Sequence, residues 1–399
     1  MVFLHVDMNS LDQNKLNVSN KERSNIFDWR GQFTPEFVEY LLASFSKPGM
    51  LIADPFLGSG TVIIESIKRH LSCVGYELNP SAFYMSKFYE YSKNSKECRD
   101  DIINQAHNII ETNISKLSKD IPLFVKADTY RESYASLLSF AHNIKNIDNA
   151  LVPFLINVLF LCEKDKKMTL KEALYKNFNI MSTNLLSLPY SDETVEVNLG
   201  DSRNIGEKYC NKVDLIITSP PYINVFNYHQ NYRGIIECFG YNVLNVANSE
   251  FGSNRKNRTN RFRTVVQYTM DMGNAILSAT KSLKVNGRMI LIVGRESNVR
   301  NTPFYNSVII ENIIEIIHCL SLEGKQARHF KNRFGETITE DILIIKKEDN
   351  QCDCPDDIVF KEVGLKHISK ALDYSQPSVH QELLDVLNHP DIIKSSPIL

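Results

Sequence analysis

Residues Ser219 to Tyr222 read serine, proline, proline, tyrosine, and these types suit the binding of a flat ring that carries an exocyclic amine. Each proline fixes its own φ angle and restricts the residue before it, so the corner is rigid before a ligand binds. The ring could stack on Tyr222 while its amine donates to the Ser219 side chain and the Pro220 carbonyl. Taken alone, the four residues favour a strand that ends in an ordinary proline turn.

The element that must position this corner precedes it. Residues Val213 to Ile217 are mostly β-branched or aliphatic, which predicts a buried parallel strand. Two consecutive prolines have no N–H to donate to a neighbouring strand, so the chain must leave the sheet at Ser219. The corner is therefore expected at the carboxyl end of a strand.

A second candidate site lies upstream, in residues Leu51 to Thr61. Their sequence predicts a strand, a glycine turn and the start of a helix. Gly58 and Gly60 allow a tight turn and close backbone approach, and the helix start offers free N–H groups to the carboxylate end of a ligand. A dinucleotide site is not favoured, because Ile63 stands where the third glycine of Gly-x-Gly-x-x-Gly would be. The chain also contains no Gly-Lys-Ser or Gly-Lys-Thr of a P-loop.

Two later segments predict further strands that end in acids. Ser72 to Glu77 is short and apolar before its glutamate, and a carboxylate there can accept hydrogen bonds from both ribose hydroxyls. Val195 to Ser202 ends in Gly200 and Asp201, placed to meet an adenine edge. The strand ends together predict a site for an adenosine-containing ligand.

In this order, glycine turn first and Ser-Pro-Pro-Tyr second, the sequence resembles the S-adenosylmethionine-dependent DNA amino-methyltransferases of restriction-modification systems. The serine gives the form typical of cytosine-N4 enzymes. The resemblance covers about residues 25–85 and 195–347. It implies an α/β, Rossmann-like class I methyltransferase fold with a mostly parallel seven-stranded sheet. Cys319 to Phe330 and Ile338 to Lys346 match the antiparallel edge hairpin of that sheet, and a helical insertion is added to it.

The resemblance also implies roles for individual residues. The expected catalytic residues are Ser219, Pro220, Pro221 and Tyr222. The expected contacts to S-adenosyl-L-methionine are Phe33, Thr34, Asp54, Phe56, Gly58, Gly60, Thr61, Glu77, Asp201 and Ser202. Thr34 is also the predicted N-cap of a helix that starts at Pro35, and this segment resembles the one that closes over the methionine end of the cofactor.

The predicted partner is double-stranded DNA, from which the target nucleotide must be flipped to reach the cofactor. Residues Ser253 to Arg263 carry five basic side chains and no acidic one, which predicts a loop that contacts phosphates, although solvated charge is the usual meaning of such a run. A second basic group lies between the hairpin strands. The expected DNA contacts are Arg255, Lys256, Arg258, Arg261, Arg263, Arg328 and Lys331.

Three further functions remain open. Adenine-N6 methylation uses the same chemistry, although relatives of that kind usually have Asp or Asn in place of Ser219. An RNA methyltransferase is possible, as is a catalytically dead nucleic-acid-binding subunit, which the intact Gly58, Gly60, Glu77 and Tyr222 disfavour. For the favoured DNA enzyme, a cognate restriction endonuclease acting separately is a possible partner.

Composition sets the outer limits. The chain has 399 residues with a formal charge of −2, so any DNA-binding surface must come from local segregation of charge. No glycine occurs between Tyr76 and Leu199, which predicts a helical insertion over residues 86–196. The remaining predicted units are an N-terminal arm (1–30), a catalytic core (31–85 and 197–349) and a C-terminal tail (350–399).

Cysteine spacing and hydropathy complete these expectations. The eight cysteines fit no zinc pattern, so they are predicted to be reduced thiols in a cytoplasmic protein without a metal. The longest apolar run, Ala150 to Cys162, is too short to cross a bilayer and is predicted to be a core helix.

Overall fold

Parallel strands and the helices that connect them form the centre of the computed structural model. The structure describes residues 11–19, 21–117, 127–223, 228–253, 257–331 and 335–399, with the backbone alone at 127–132. The predicted DNA contacts Arg255 and Lys256 lie outside the described residues.

The described strands follow the sequence prediction closely. They are β1 (Leu51–Asp54), β2 (Ser72–Glu77), β3 (Val195–Leu199), β4 (Val213–Thr218), β5 (Leu283–Gly294), β6 (Glu296–Val299), β7 (Thr302–Tyr305), β8 (Leu320–Lys331) and β9 (Thr337–Lys347). Seven of them form one sheet in the order β3-β2-β1-β4-β5-β9-β8. The first five strands are parallel, and β9 runs antiparallel to both β5 and β8. The predicted α/β, Rossmann-like fold with a mostly parallel seven-stranded sheet and an antiparallel edge hairpin is confirmed.

Helices cover both faces of this sheet. They are α1 (Gln13–Asn17), α2 (Pro35–Phe45), α3 (Thr61–Lys68), α4 (Pro80–Lys87), α5 (Lys96–Ile114), α6 (Ala127–Ile144), α7 (Val152–Lys164), α8 (Leu170–Ser187), α9 (Ile205–Lys208), α10 (Arg233–Cys238), α11 (Val243–Ser249), α12 (Arg263–Ser282), α13 (Asn306–Ile316), α14 (Asp357–Ala371) and α15 (His380–Asn388). The strand residues Ile52, Ile216 and Ile290 are fully buried, as expected where helices cover a parallel sheet on both sides.

The strand order explains where a ligand can enter. β1 pairs with β2 on one side and with β4 on the other, so the direction of the chain through the sheet reverses between β1 and β4. In open α/β sheets the crevice at such a reversal, outside the carboxyl ends of the strands, is the usual ligand site. Both predicted half-sites, the glycine turn after β1 and the Ser-Pro-Pro-Tyr corner after β4, open there.

The helical insertion and the N-terminal segment both pack on this core. The predicted core helix is confirmed as α7, in which Phe154, Leu155 and Ile156 are buried. Residues 11–30, predicted as an arm, include the fully buried Leu16, and Arg23 forms an ion pair with Glu65 of α3. None of the described helices has the length and apolar character that crossing a membrane requires.

The C-terminal tail is more ordered than its sequence suggested. A single helical stretch was expected near residues 378–387, whereas the structure also contains α14, whose Phe360 packs against Gly273 of α12. The helix α12 itself begins at Arg263 and not at Asp271, the start expected from periodicity. Packing by the tail helps to explain why α12 is buried around most of its circumference, polar residues included.

One pair of cysteines contradicts the sequence prediction. Cys319 and Cys352 form a disulfide with a Cα–Cα distance of 5.1 Å, so the expectation of reduced thiols is wrong for this pair. The start of β8 and the first residues of the tail lie side by side, a proximity that a separation of 33 residues does not reveal. The other six cysteines are free thiols.

Candidate active site

A cavity of about 370 Å³ lies at the carboxyl ends of β1 and β4. It is lined by residues from both predicted half-sites. The predicted residues among them are Phe33, Asp54, Phe56, Gly58, Thr61, Glu77, Asp201, Ser202, Ser219, Pro220, Pro221 and Tyr222. Thr34 and Gly60, also predicted as cofactor contacts, do not line it, although Thr34 is the N-cap of α2 as expected.

The two half-sites are tied together by a buried hydrogen bond. The Thr218 hydroxyl, at the end of β4, donates to Asp54 Oδ1 at 2.5 Å, and the Phe56 N–H donates to the same oxygen at 3.0 Å. Burial raises the pKa of Asp54 to about 7, even though both hydrogen bonds act to lower it. Asp54 therefore fixes the start of the glycine turn relative to the residue before Ser219.

The glycine turn has the backbone shape that only glycine adopts readily. Gly58 and Gly60 have φ angles of 55° and 91°, in the left-handed region. A Cβ atom at Gly60 would lie 2.8 Å from the Tyr89 ring, so this glycine is needed for close packing as well as for the turn. The Gly58 N–H donates to Glu77 Oε2 at 2.6 Å, which links the turn to the acid that ends β2.

Glu77 is held in place to accept further hydrogen bonds. Its Oε1 accepts from the Asn79 N–H at 2.7 Å, and its side chain lines the cavity. Burial raises the pKa of Glu77 to about 7, and the backbone donors from Asn79 and Gly58 oppose this rise. Each carboxylate oxygen has a second lone pair available, which suits the two hydroxyls of a ribose.

Three polar atoms around this cavity have no hydrogen-bond partner among the described residues. They are Asn79 Nδ2, Ser202 Oγ and Glu250 Oε1, and all three residues line the cavity. Leaving such a buried group unpaired typically costs about 1–3 kcal/mol, so their presence in one cavity indicates a ligand that pairs with them. A donor, a hydroxyl and an acceptor beside Glu77 fit the polar groups of an adenosine, and the rings of Phe56 and Phe251, 5.6 Å apart, add an apolar wall.

Asp201 occupies the expected corner but is held by a neighbour. Its two oxygens accept hydrogen bonds from Arg203, with Nη2 at 2.6 Å and Nε at 2.9 Å. Arg203 also donates to the carbonyls of Ser396 and Pro397 at 2.7 and 2.8 Å. The last residues of the chain thus help to fix the corner that the sequence predicted would face an adenine.

The Ser-Pro-Pro-Tyr corner has partners that the sequence did not predict. The Tyr222 ring packs so closely on Gly294 that a Cβ there would lie 2.9 Å from it. Tyr222 Oη lies 3.2 Å from Ser219 Oγ and donates to Glu340 Oε1 at 3.1 Å. Glu340 in turn accepts from Arg328 Nε at 2.7 Å through its other oxygen.

Other cavity residues were also missed from sequence. Asn79 is the N-cap of α4, and the Asn79-Pro80 pair two residues after Glu77 was a signal that could have marked it. Trp29 and Tyr228 line the cavity as a stacked pair, with ring centroids 5.6 Å apart. Glu250 and Glu340 stand in segments without a recognisable motif.

The predicted DNA contacts differ in how far their side chains are exposed. Arg258, Arg261 and Lys331 are exposed. Arg263 forms an ion pair with Asp385 at 2.7 Å. Arg328 is only 7% exposed and is paired with Glu340, so it does not offer its charge to a phosphate in this structure.

Comparison with known proteins agrees with this geometry. Residues 7–88 match a family model described as DNA methylase. This stretch is similar to DNA methylases. The match agrees with the expected S-adenosyl-L-methionine site, and the glycine turn, Glu77 and the unpartnered atoms beside it fit that cofactor. Over 414 residues the chain is 20% identical to the type II methyltransferase M.MjaII of Methanocaldococcus jannaschii, which covers 73% of this chain and 76% of that protein.

Solved structures similar to this chain include methyltransferases. A SAM-dependent methyltransferase from Methanosarcina mazei has a TM-score of 0.35 and 7% identity, covering 77% of this chain and 97% of its own. An rRNA methylase from Streptococcus thermophilus has a TM-score of 0.32 and 8% identity, covering 80% and 98%. The fold assignment rests on the strand order. Within the described residues, no group of three or more His, Cys, Asp or Glu side chains could hold a metal ion.

Proposed function

We propose that this chain is a site-specific DNA methyltransferase that moves the methyl group of S-adenosyl-L-methionine to the exocyclic N4 amine of a flipped cytosine. One observation carries the proposal. The Ser219 to Tyr222 corner and the glycine turn with Glu77 line a single cavity, although more than a hundred residues separate them in sequence. A corner for an amine and a cradle for an adenosine then lie within reach of each other.

The cofactor half of the cavity binds and orients. Glu77 accepts hydrogen bonds from the ribose hydroxyls, and the buried Asn79 Nδ2 and Ser202 Oγ gain the partners that no described residue gives them. The bound cofactor supplies an electrophilic methyl group on its sulfonium. Phe33 lines the cavity just before α2, which supports its proposed contact with the methionine end.

The target half prepares the nucleophile. Tyr222 stacks on the flipped base, a contact typically worth about 1–3 kcal/mol. The amino lone pair of cytosine is delocalised into the ring, and hydrogen bonds from the amine to Ser219 Oγ and to the Pro220 carbonyl favour a more tetrahedral nitrogen. When bound, the cofactor would supply its methyl group to this nitrogen, which the two acceptors hold in place, and the methylated amine would release one proton to solvent. Alignment of amine and methyl supplies most of the catalysis.

Double-stranded DNA is the proposed partner. An amine inside a duplex is out of reach, so the nucleotide must leave the stack. The exposed Arg258, Arg261 and Lys331 are proposed to contact phosphates and to release counterions. Acting in the cytoplasm beside a separate restriction endonuclease, such an enzyme would protect its own DNA from cleavage.

The serine of Ser219-Pro220-Pro221-Tyr222 supports cytosine-N4 over adenine-N6, which uses the same chemistry. The deciding experiment incubates the purified chain with DNA or RNA and methyl-labelled cofactor, digests the product to nucleosides and separates them. We expect labelled N4-methylcytosine from DNA. Labelled N6-methyladenine would establish the adenine alternative, and label in RNA alone would overturn the DNA assignment.

A further inference from the structure

Glu340 faces the catalytic corner although it belongs to the edge hairpin of the sheet. It lies on β9, lines the cavity and is only 8% exposed. Its Oε1 accepts the hydrogen of the Tyr222 hydroxyl at 3.1 Å. Because a carboxylate paired with arginine can only accept, the Tyr222 hydrogen is committed to this bond.

Arg328 keeps the carboxylate in this role. It lies directly opposite Glu340 in the register of β8 and β9, and its Nε and Nη2 atoms contact Glu340 Oε2 at 2.7 and 2.6 Å. The guanidinium packs on the Phe37 ring, 3.8 Å from its centroid. Arginine has only donors and keeps its charge, so it fixes which oxygen of Glu340 faces Tyr222.

The direction of the next hydrogen bond follows from this. Tyr222 Oη lies 3.2 Å from Ser219 Oγ, and either atom could donate if the pair were isolated. Since the single Tyr222 hydrogen points to Glu340, Ser219 must donate its own hydrogen to Tyr222. Burial and the Glu340 carboxylate raise the pKa of Tyr222 well above its ordinary value, so the phenol keeps its hydrogen.

We propose that the Arg328–Glu340 pair is a positioning device that, through Tyr222, makes Ser219 an obligatory acceptor for the amine of the target base. Ser219 has one hydrogen, and once it is given to Tyr222 only lone pairs remain for the ligand. An exocyclic amine can donate a hydrogen bond to one of these lone pairs. A ring with a carbonyl at that position, as in thymine, would place its own lone pairs against those of Ser219, and no hydrogen bond could form. This inference rests on the proposed function and adds a selectivity device to it.

The test substitutes glutamine for Glu340. In Glu340→Gln, Arg328 takes the amide oxygen because it can only donate, and the NH₂ group faces Tyr222. The Tyr222 hydrogen must then turn to Ser219 and occupy a lone pair that the amine needs. We expect kcat for DNA methylation to fall at least tenfold, with the KM for DNA and the Kd for S-adenosylhomocysteine within twofold of wild type.

The same change in a Tyr222→Phe background separates positioning from a structural role. Phenylalanine keeps the stacking ring and removes the hydroxyl through which Glu340 acts. We expect Glu340→Gln to change kcat by less than twofold in this background, a non-additivity that identifies a shared path. The matched control is Glu323→Gln, which alters another Arg–Glu pair of the sheet, with Arg288 at 2.7 Å, away from the cavity. It should retain wild-type kcat.

Each outcome decides the matter. Wild-type kcat in Glu340→Gln, or an equal loss in both backgrounds, overturns the inference while the proposed function stands. If the wild-type chain methylates no amine in DNA, the proposed function is wrong, and the inference that rests on it is wrong as well. If Glu340→Gln does not fold, Tyr222→Phe alone carries the test: a kcat at least tenfold lower with unchanged KM supports the relay, and an unchanged kcat overturns it.

Discussion

The Thr218 hydroxyl donates to Asp54 Oδ1 at 2.5 Å, which joins two strand ends that are 164 residues apart in sequence. Both side chains are buried. Asp54 begins the glycine turn, and Thr218 precedes the Ser219 corner. The bond thus sets the distance between the place for the cofactor and the place for the target base.

Removal of this bond should weaken the fold and the site together. In Thr218→Val the shape is kept, but the buried Asp54 carboxyl loses its closest donor. We expect a loss of roughly 1–3 kcal/mol in the free energy of unfolding, measured by urea denaturation. The control is Thr280→Val, whose hydroxyl bonds the Ile276 carbonyl within α12. Equal losses in the two variants would show that the hydrogen bond to Asp54 stabilises the fold no more than an ordinary side-chain bond within a helix.

Cofactor binding should depend on pH through Glu77. Its pKa of about 7 means that the free chain holds a proton there in mildly acidic solution, whereas ribose hydroxyls donate best to the ionised carboxylate. Affinity for S-adenosylhomocysteine should therefore rise with pH up to about 7, by up to about tenfold per unit, and level off above it. Calorimetry in buffers of different ionisation enthalpy would reveal the released proton. Affinity that falls as the pH rises would contradict this assignment.

The same two acids predict how stability changes with pH. The pKa values of Asp54 and Glu77 rise from ordinary values of 3.8 and 4.5 to about 7 in the folded chain. The folded chain therefore binds more protons than the unfolded chain between these limits. Their contribution to stability is greatest below about pH 4 and is lost as the pH rises through 7. Thermal melts of the ligand-free Glu77→Gln variant should show a weaker decline over this range than wild type.

Gly60 should tolerate no side chain. Alanine there would adopt a φ of 91° and place its Cβ 2.8 Å from the Tyr89 ring. Gly49 is the matched control, with a φ of 81° and no atom within 4 Å of the position that a Cβ would take. Because only the first site adds a collision, Gly60→Ala should cost at least about 2 kcal/mol more in unfolding free energy than Gly49→Ala. Equal costs would mean that the turn can relax away from Tyr89.

Arg258 provides a test of the DNA surface. It is exposed in the segment that leads into α12. If it neutralises a phosphate, Arg258→Ala should make the negative slope of log K for DNA binding against log salt concentration shallower by about one. Arg233→Ala is the control, because that arginine is paired with Glu237 on α10. Equal slopes in wild type and Arg258→Ala, measured by fluorescence anisotropy, would show that Arg258 does not contact a phosphate.

Most of the sheet and the two half-sites could be predicted from the sequence because their signals are local. An apolar run that stops at two prolines gives β4 and its corner, and glycines between a strand and a helix give the turn after β1. Parallel strands joined by helices then bring the two ends to one crevice. Most of the predicted cofactor contacts line the cavity for this reason.

The missed residues depend on contacts that no local pattern encodes. Glu340 meets Tyr222 across 118 residues, and Arg328 resembles a surface cation until the register of β8 and β9 places it opposite Glu340. The tail helix α14 was missed for the same reason. It is only weakly amphipathic, and it is held in place by packing on α12. Burial and pairing of charges were the properties that sequence reasoning could not supply.

The most direct test compares cofactor binding with methyl transfer in Ser219→Ala and Tyr222→Ala. Both residues line the cavity from the target half only, so both variants should bind S-adenosylhomocysteine within twofold of wild type. Methyl transfer to DNA should fall about a hundredfold or more, since the amine loses an acceptor or its stacking partner. Ser44→Ala on α2 is the control and should keep both properties. Unchanged turnover in both variants would contradict the account of a single pocket built from two half-sites.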